Sequence, residues 1–135
     1  MRRLPLALCL LAGLFLAPIA TARAEVSEKL EKSLEKLDPT ELVTQVCDLG
    51  AMKALSGDSQ WRHTDRVLID AISEPRLSGN KASGEGGALR REGQWYRFSY
   101  SCTLSGNHMS VVDFRYKVGA MIPKEKWTEF GLWND

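Results

Sequence analysis

Residues 79–84 have the glycine spacing of a P-loop, the turn that holds nucleotide phosphates. A P-loop carries a lysine directly after its second glycine, because that ammonium group reaches the phosphates. Glu85 occupies this position, so an acidic side chain stands where a phosphate would bind. We therefore interpret Gly79 and Gly84 as turn residues. The sequence also lacks the GxSxG pattern of serine hydrolases and the HExxH pattern of zinc proteases.

His63 and His108 are the two histidines of the chain and its candidates for acid–base chemistry. His63 lies in a charged linker and His108 in a predicted hairpin turn, so we expect both at the surface. A pair such as His108 and Asp113 could transfer protons, but nothing in the sequence places them around a substrate. A metal site would have to recruit scattered carboxylates. The sequence thus predicts no catalytic residue, no metal site and no cofactor; an enzyme using His63 or His108 is an alternative.

Aromatic and basic side chains are the candidates for binding. The tryptophans and tyrosines that could stack on a glycan or peptide are Trp61, Trp95, Trp127, Trp133, Tyr96, Tyr100 and Tyr116. Strand alternation assigns most of these rings to a core, and the C-terminal tryptophans to a plug that closes it. Trp95 is the exception, since by parity it shares a polar face with Arg97. We predict a binding face of Trp95, Arg97, Arg115 and Lys117, whose cations would hold an anionic group.

The first 24 residues resemble a secretory signal peptide. A basic start is followed by an apolar run from Leu4 to Ala17, and small residues precede a predicted cleavage after Ala24. An uncleaved anchor is less favoured, because the 17 residues from Leu4 to Ala20 are short for a bilayer span and contain Pro18. A lipidated N-terminus is also disfavoured, because Cys9 lies inside the apolar run, whereas a lipidated cysteine must become the first mature residue. We expect a periplasmic or secreted protein with no stable membrane span after cleavage.

Removing this leader changes the charge and the cysteine count. The mature chain keeps 15 basic and 17 acidic side chains, a net charge of −2, so we expect no nucleic-acid partner. Its two cysteines, Cys47 and Cys102, would meet an oxidising compartment, and we predict a disulfide between them. Their spacing excludes a CxxC redox site. In the loop-entropy model such a bridge stabilises the fold by about 4 kcal/mol.

The N-terminal half of the mature chain is predicted to be helical. Residues 25–37 carry a narrow apolar stripe among Glu and Lys, which predicts a helical extension acting as a tether. Asp38 followed by Pro39 is a strong helix start. The second helix should run to about Leu55, with Cys47 on its apolar face.

The C-terminal half is predicted to form a sheet. We expect a buried strand from Val67 to Ile72 and a loop or weak strand from Arg76 to Gly87. A hairpin should pair Tyr96–Leu104 with Val112–Val118, each alternating apolar and polar residues. A last helix or turn begins at Pro123. The predicted fold is a single α+β domain over residues 38–135, with the N-terminal helix or helices packed on a twisted antiparallel sheet, a short C-terminal helix and one disulfide.

A set of short motifs in order gives a family resemblance. The motifs are Leu37-Asp38-Pro39, Gln45-Val46-Cys47-Asp48, Ala51-Met52, Asp65-Arg66-Val67, Gly79-Asn80, Gly86-Gly87-Ala88, Trp95-Tyr96-Arg97-Phe98, Cys102-Thr103, His108-Met109, Ile122-Pro123-Lys124-Glu125-Lys126-Trp127 and Gly131-Leu132-Trp133. From Leu37 to Trp133 the chain resembles the domain of unknown function 930 family. The resemblance implies a small exported alphaproteobacterial domain, sometimes carried behind a membrane anchor and a linker, and it implies no activity.

The leading functional hypothesis is a non-catalytic periplasmic binding or adaptor module that contacts an envelope protein or glycan. A small disulfide-bonded scaffold with a mixed aromatic and basic face, and no catalytic set, suits binding better than chemistry. The alternative is an inhibitor of envelope or host hydrolases that inserts the loop Ser78–Gly87 or Ser105–His108 into a cleft. The sequence does not indicate an oligomeric state.

Overall fold

The computed structural model describes residues 28–134 as two helices and five strands joined by turns. This is the predicted α+β class. The elements are α1 over residues 28–34, α2 Pro39–Ser56, β1 Thr64–Leu68, β2 Arg76–Ser78, β3 Lys81–Arg91, β4 Gln94–Leu104, β5 Val111–Met121 and a 3₁₀ turn Lys124–Lys126.

Helix α2 begins where the sequence predicts. The Asp38 carboxylate accepts hydrogen bonds from the backbone N–H groups of Thr40 and Glu41, at 2.9 and 3.1 Å, and Pro39 occupies the first turn. These bonds satisfy amides that have no partner inside the helix. The helix ends at Ser56, one residue beyond the predicted end at about Leu55.

All strand pairs are antiparallel, and the sheet order is β1-β3-β4-β5, with β2 also paired to β3. Helix α2 covers one face, and its buried side chains pack on Phe98 and Leu104 of β4. The predicted disulfide is confirmed: Cys47 of α2 is bonded to Cys102 of β4, and both residues have no exposed surface. The bridge therefore fastens the helix to a central strand of the sheet.

Strand β3 is longer and more regular than the loop or weak strand predicted for residues 76–87. It is an 11-residue strand paired along its length with β4, interrupted by a bulge between Gly84 and Gly87. A Cβ atom at Gly87 would lie 2.6 Å from the Phe98 ring, and one at Gly84 would lie 3.0 Å from the Tyr100 hydroxyl. These glycines therefore make room for aromatic rings of the neighbouring strand, and they are not turn residues.

Strand β1 begins three residues before the predicted strand from Val67 to Ile72 and ends four residues before it does. It ends at Leu68, although the next residue, Ile69, is fully buried. The Ile69 N–H donates to the Asp48 carboxylate of α2 at 2.9 Å, so this backbone group bonds a side chain instead of a strand. Ile72 still donates to the Gly86 carbonyl at 2.8 Å, but without the continuous ladder of a strand.

Strand β5 contains a bulge that reverses one predicted side-chain position. Val111 lies opposite Leu104 and Asp113 opposite Thr103, which leaves Val112 as an extra residue. Val112 is 70% exposed, so its predicted place on the apolar face is wrong. The predicted alternation holds from Asp113 onward.

The sheet face opposite α2 is partly covered by the C-terminal segment. Trp127 and Leu132 of this segment bury Trp95 of β4 completely. The Trp95 indole N–H donates to the Trp133 carbonyl at 2.9 Å. The sequence-based placement of Trp95 on an exposed binding face is therefore wrong, because parity identifies the face of a strand but not what packs against it. The C-terminal segment was also predicted to close the main core. It instead covers a separate cluster around Trp95, on the face of the sheet opposite α2.

Helix α1 packs on the core through a single residue. Leu34 is buried against the main cluster, whereas Leu30 is 46% exposed. Residues 25–27 of the predicted extension lie outside the described part of the chain, as does the predicted signal peptide. Among residues 28–134, no helix is both long and apolar enough to span a membrane.

Candidate anion-binding face

The polar face of the sheet carries a row of four residues, one from each of four adjacent strands. Arg76 pairs with Ser83, Ser83 with Ser101, and Ser101 with Arg115. Directly opposed residues on antiparallel strands point to the same face. At about 4.8 Å between strands, the row spans about 14 Å. Two arginines therefore stand at the ends of a row whose middle consists of serine hydroxyls.

An open hollow of about 430 Å³ lies over this row. Its lining also includes Ser99 and Lys117, a cross-strand pair in the next row along β4 and β5. A second hollow of about 250 Å³ adjoins it, shares Glu85, Ser99 and Lys117 with it, and extends it to Arg97. Serine hydroxyls and arginine or lysine cations are the donors that bind carboxylate, phosphate or sulfate oxygens. We call this surface, formed by Arg76, Ser83, Ser99, Ser101, Arg97, Arg115 and Lys117, the basic face.

The cations of the basic face are largely available to a ligand. The Arg115 guanidinium bonds the Asp113 carboxylate at 3.0 Å, but its side chain is 81% exposed. Within residues 28–134, Arg76, Arg97 and Lys117 form no ion pair with a carboxylate. Glu85 lines both hollows and is the acidic group that opposes an anionic ligand there.

Three of the four residues predicted for the binding face lie together on it. Arg97, Arg115 and Lys117 are exposed on the side of the sheet opposite α2, whereas Trp95 is covered by the C-terminal segment. The sequence did not indicate Arg76 and Ser83 as site residues, because its glycines predict a loop or weak strand over residues 76–87. Their only sequence signal is the alternation of exposed polar residues in β2 and β3, which glycines obscure.

The two histidines are not brought into a site. His63 is exposed in the turn before β1. His108 lies in the β4–β5 turn, where its Nε2 atom is 3.1 Å from the Asn80 side-chain oxygen. Asp113 pairs with Arg115 and not with His108. In the described part of the chain, no group of three or more His, Cys, Asp or Glu is arranged to hold a metal ion.

The aromatic side chains do not form one stacking surface. Trp95 and Trp127 are buried on one side of the sheet, and Tyr100 is buried on the other. Trp61 packs edge-on against Tyr96, with ring centroids 5.1 Å apart. An aromatic platform for a glycan is therefore absent from the basic face, and charge is the main property of that face.

Two carboxylates bonded to tyrosine or arginine are held in their charged form. The hydrogen bond from the Tyr116 hydroxyl, at 2.6 Å, lowers the pKa of Asp58, and burial together with this bond raises the pKa of Tyr116 to about 12. The hydrogen bonds from Arg90 lower the pKa of Asp65. The first pair joins the loop after α2 to β5, and the second joins β1 to β3 beside the C-terminal segment.

The pKa of Asp48 in α2 is shifted in the opposite direction, upward. Burial raises its pKa to about 7, the hydrogen bond from Ile69 opposes this, and the neighbouring Asp70 charge adds to the rise. Burial also raises the pKa of Tyr100, whose hydroxyl has no hydrogen-bond partner within residues 28–134. Asp48 lies on the covered side of the sheet, so its ionisation is a property of the core and not of the basic face.

The fold and the basic face define a small disulfide-bonded α+β domain with a charged surface and no assembled catalytic group among the described residues. The chain belongs to the family described as Domain of Unknown Function (DUF930), whose model matches residues 34–132. No curated protein and no solved structure matches the chain. The disulfide is consistent with an exported protein.

Proposed function

We propose that the protein is a non-catalytic binding or adaptor module of the bacterial cell envelope that holds an anionic partner on its basic face. The observation that carries the proposal is the row Arg76–Ser83–Ser101–Arg115 beneath a hollow of about 430 Å³. The disulfide and the signal-like leader support a periplasmic location.

The arrangement favours an anion over a neutral ligand for an electrostatic reason. The mature chain has a net charge of −2, yet this face sets four arginine and lysine side chains against two carboxylates, Glu85 and the Asp113 carboxylate that bonds Arg115. Local concentration of one sign of charge attracts the opposite sign even when the whole molecule does not. Arginines at both ends of the row can donate paired hydrogen bonds to a carboxylate or phosphate, with the serine hydroxyls completing its coordination.

The test is titration of the purified protein with inorganic phosphate and with polyglutamate at low ionic strength, followed by calorimetry and amide chemical shifts. We expect both anions to bind and to shift the amides of Ser83 and Ser101. The Arg76→Ala plus Arg115→Ala variant should weaken binding by about tenfold or more, since it removes two charge-assisted contacts. Glu85→Gln should strengthen binding because it removes the opposing charge.

A matched control separates this face from general charge effects. Lys36→Ala plus Arg62→Ala removes the same net charge from exposed positions that do not line the hollow. We expect this control to bind both anions like the unaltered protein. Equal loss in the two double variants, or no anion binding by the unaltered protein, would contradict the proposal.

A second candidate function, inhibition of a hydrolase, is favoured by the joined turns at one end of the sheet. The predicted inhibitory segment Ser78–Gly87 is mostly strand, and its turn at Gly79–Asn80 contacts the second predicted segment through His108. The Asn107 side chain also accepts the Met109 N–H at 3.1 Å, so this tip is internally bonded. Inhibition of a panel of proteases and muramidases that is weakened by Asn80→Ala would support this function, and absence of inhibition would remove it.

A further inference from the structure

The outer edge of β5 is open for pairing. β5 is the last strand of the sheet order, and only β4 pairs with it. Within the described part of the chain, no loop or helix forms a backbone hydrogen bond to the strand. Alternate N–H and C=O groups of an edge strand point away from its neighbour, so they remain available to an added strand.

The two sides of this edge differ in chemistry. On the α2 side, Phe114, Tyr116 and Val118 are only half-buried, because no strand lies beyond them. On the opposite side, Arg115 and Lys117 are exposed and belong to the basic face. An added strand would therefore meet apolar side chains on one face and, on the other, two cations together with the Asp113 carboxylate that bonds Arg115.

Two irregularities set the length of the pairing segment. One register shift lies at Val112, and a second lies between Val118 and Met121, opposite Tyr96–Phe98. Between them, β5 is regularly paired from Asp113 to Val118. Bulges bend a strand and interrupt its ladder, so the segment suited to pairing is these six residues.

We propose that this edge binds an extended segment of a partner protein in which acidic residues at alternate positions are separated by apolar ones. The backbone of the segment would continue the sheet beside β5. Its apolar side chains would cover Phe114, Tyr116 and Val118, and two carboxylates would lie beside Arg115 and Lys117. The inference rests on the proposed function, since it assigns the anionic partner of the basic face to one chemical class.

Charge favours such a partner over a second copy of this chain. Symmetric antiparallel pairing centred on Arg115 or on Lys117 places that cation opposite its own copy. Pairing centred on Tyr116 places Arg115 opposite Lys117. Like charges directly opposite are destabilising in a sheet, whereas carboxylates at the same positions are favourable. Pairing centred on Phe114 would place Asp113 opposite Arg115, but it sets Tyr116 against the bulge at Val112, so only residues 113–115 stay in regular register.

The experiment measures binding of a short fluorescein-labelled peptide that alternates valine and glutamate, by fluorescence anisotropy with the purified protein. A second peptide has the same sequence, but the backbone amides on the edge that would face β5 are N-methylated. Methylation keeps every charge and removes the N–H groups that would donate to β5. We expect the first peptide to bind and the methylated one to bind about tenfold or more weakly.

A charge exchange then tests the orientation. The Arg115→Glu plus Lys117→Glu variant should lose the glutamate peptide and gain affinity for a valine–lysine peptide. Lys36→Glu plus Arg62→Glu, at exposed positions outside both hollows, should keep the original preference. If the double glutamate variant binds the valine–lysine peptide, that binding also shows that the variant is folded.

The outcomes separate this inference from the proposed function. Equal binding of the methylated and unmethylated peptides would overturn strand addition while leaving anion binding intact. Failure of phosphate, polyglutamate and both peptides to bind would overturn the two proposals together. Sedimentation showing a dimer that the peptide cannot dissociate would assign the edge to a second copy and overturn the inference.

Discussion

Replacing Asp48 by asparagine is expected to stabilise the protein at neutral and alkaline pH. Asp48 is a partly buried helix residue whose carboxylate accepts the Ile69 N–H at 2.9 Å. Asparagine has almost the same shape, and its side-chain oxygen can accept the same hydrogen bond. The substitution therefore removes a charge from the core without removing the bond that ends β1.

The magnitude follows from the pKa of this carboxyl group. Burial raises the pKa from 3.8 to about 7, so the folded state binds the proton more tightly than the unfolded state. The free energy of unfolding then falls as the pH rises from about 4 to about 7, and it is level above that range. The full shift corresponds to about 4 kcal/mol. Since Asp48 borders an open hollow of about 290 Å³, we expect about 2–4 kcal/mol.

The assay is urea denaturation of both proteins at intervals from pH 4 to pH 8. The difference in unfolding free energy between the Asp48→Asn variant and the unaltered protein should be near zero at pH 4. It should grow through pH 7 in favour of the variant. Taking this difference cancels the titration of groups that do not interact with Asp48, including Asp58 and Asp65, whose lowered pKa values act below this range. A flat difference, or a variant less stable at pH 8, would refute the reasoning.

Three further substitutions test the packing. Cys47→Ala plus Cys102→Ala should lower the unfolding free energy by about 4 kcal/mol, which is the loop-entropy value for cysteines 55 residues apart. The measurement is urea denaturation without reductant, and a loss under about 1 kcal/mol would contradict this expectation. Gly87→Ala should cost about 1–3 kcal/mol, because its Cβ would lie 2.6 Å from the Phe98 ring, and a neutral result would show that β3 shifts freely. Trp95→Ala should cost about 3–5 kcal/mol in the same assay, whereas an exposed binding residue would cost less than about 0.5 kcal/mol.

The sequence predicted elements well where one local interaction decides them. Asp38 and Pro39 specify the start of α2 by capping geometry that involves only a few neighbouring residues. The alternation from Tyr96 to Leu104 specifies β4, because its period of two is long and uninterrupted. The disulfide was predictable because removal of the predicted leader would leave two cysteines, Cys47 and Cys102.

Strand β3 was not predictable in the same way. Its glycines are favourable only because Phe98 and Tyr100 of the next strand fill the space that side chains would occupy. The end of β1 likewise depends on Asp48, which is 21 residues away from Ile69. Local propensity contains no information about such distant contacts.

In the candidate site, too, some residues were predictable from local sequence and others were not. The sequence identified Arg97, Arg115 and Lys117 as cations of one face, because strand parity is a local property. It missed Arg76, because joining this residue to Arg115 requires the register of four strands.

By itself, the sequence determined the helix start, the main hairpin, the cysteine pair and the parity of the charged residues. Each of these follows from neighbours in the chain or from composition. Only the tertiary structure decided that the C-terminal segment covers Trp95, that Arg76 faces Arg115 across two serines, and that β5 has an open edge. Those features depend on which distant segments exclude water from one another, and burial of that kind is a property of the whole packed chain.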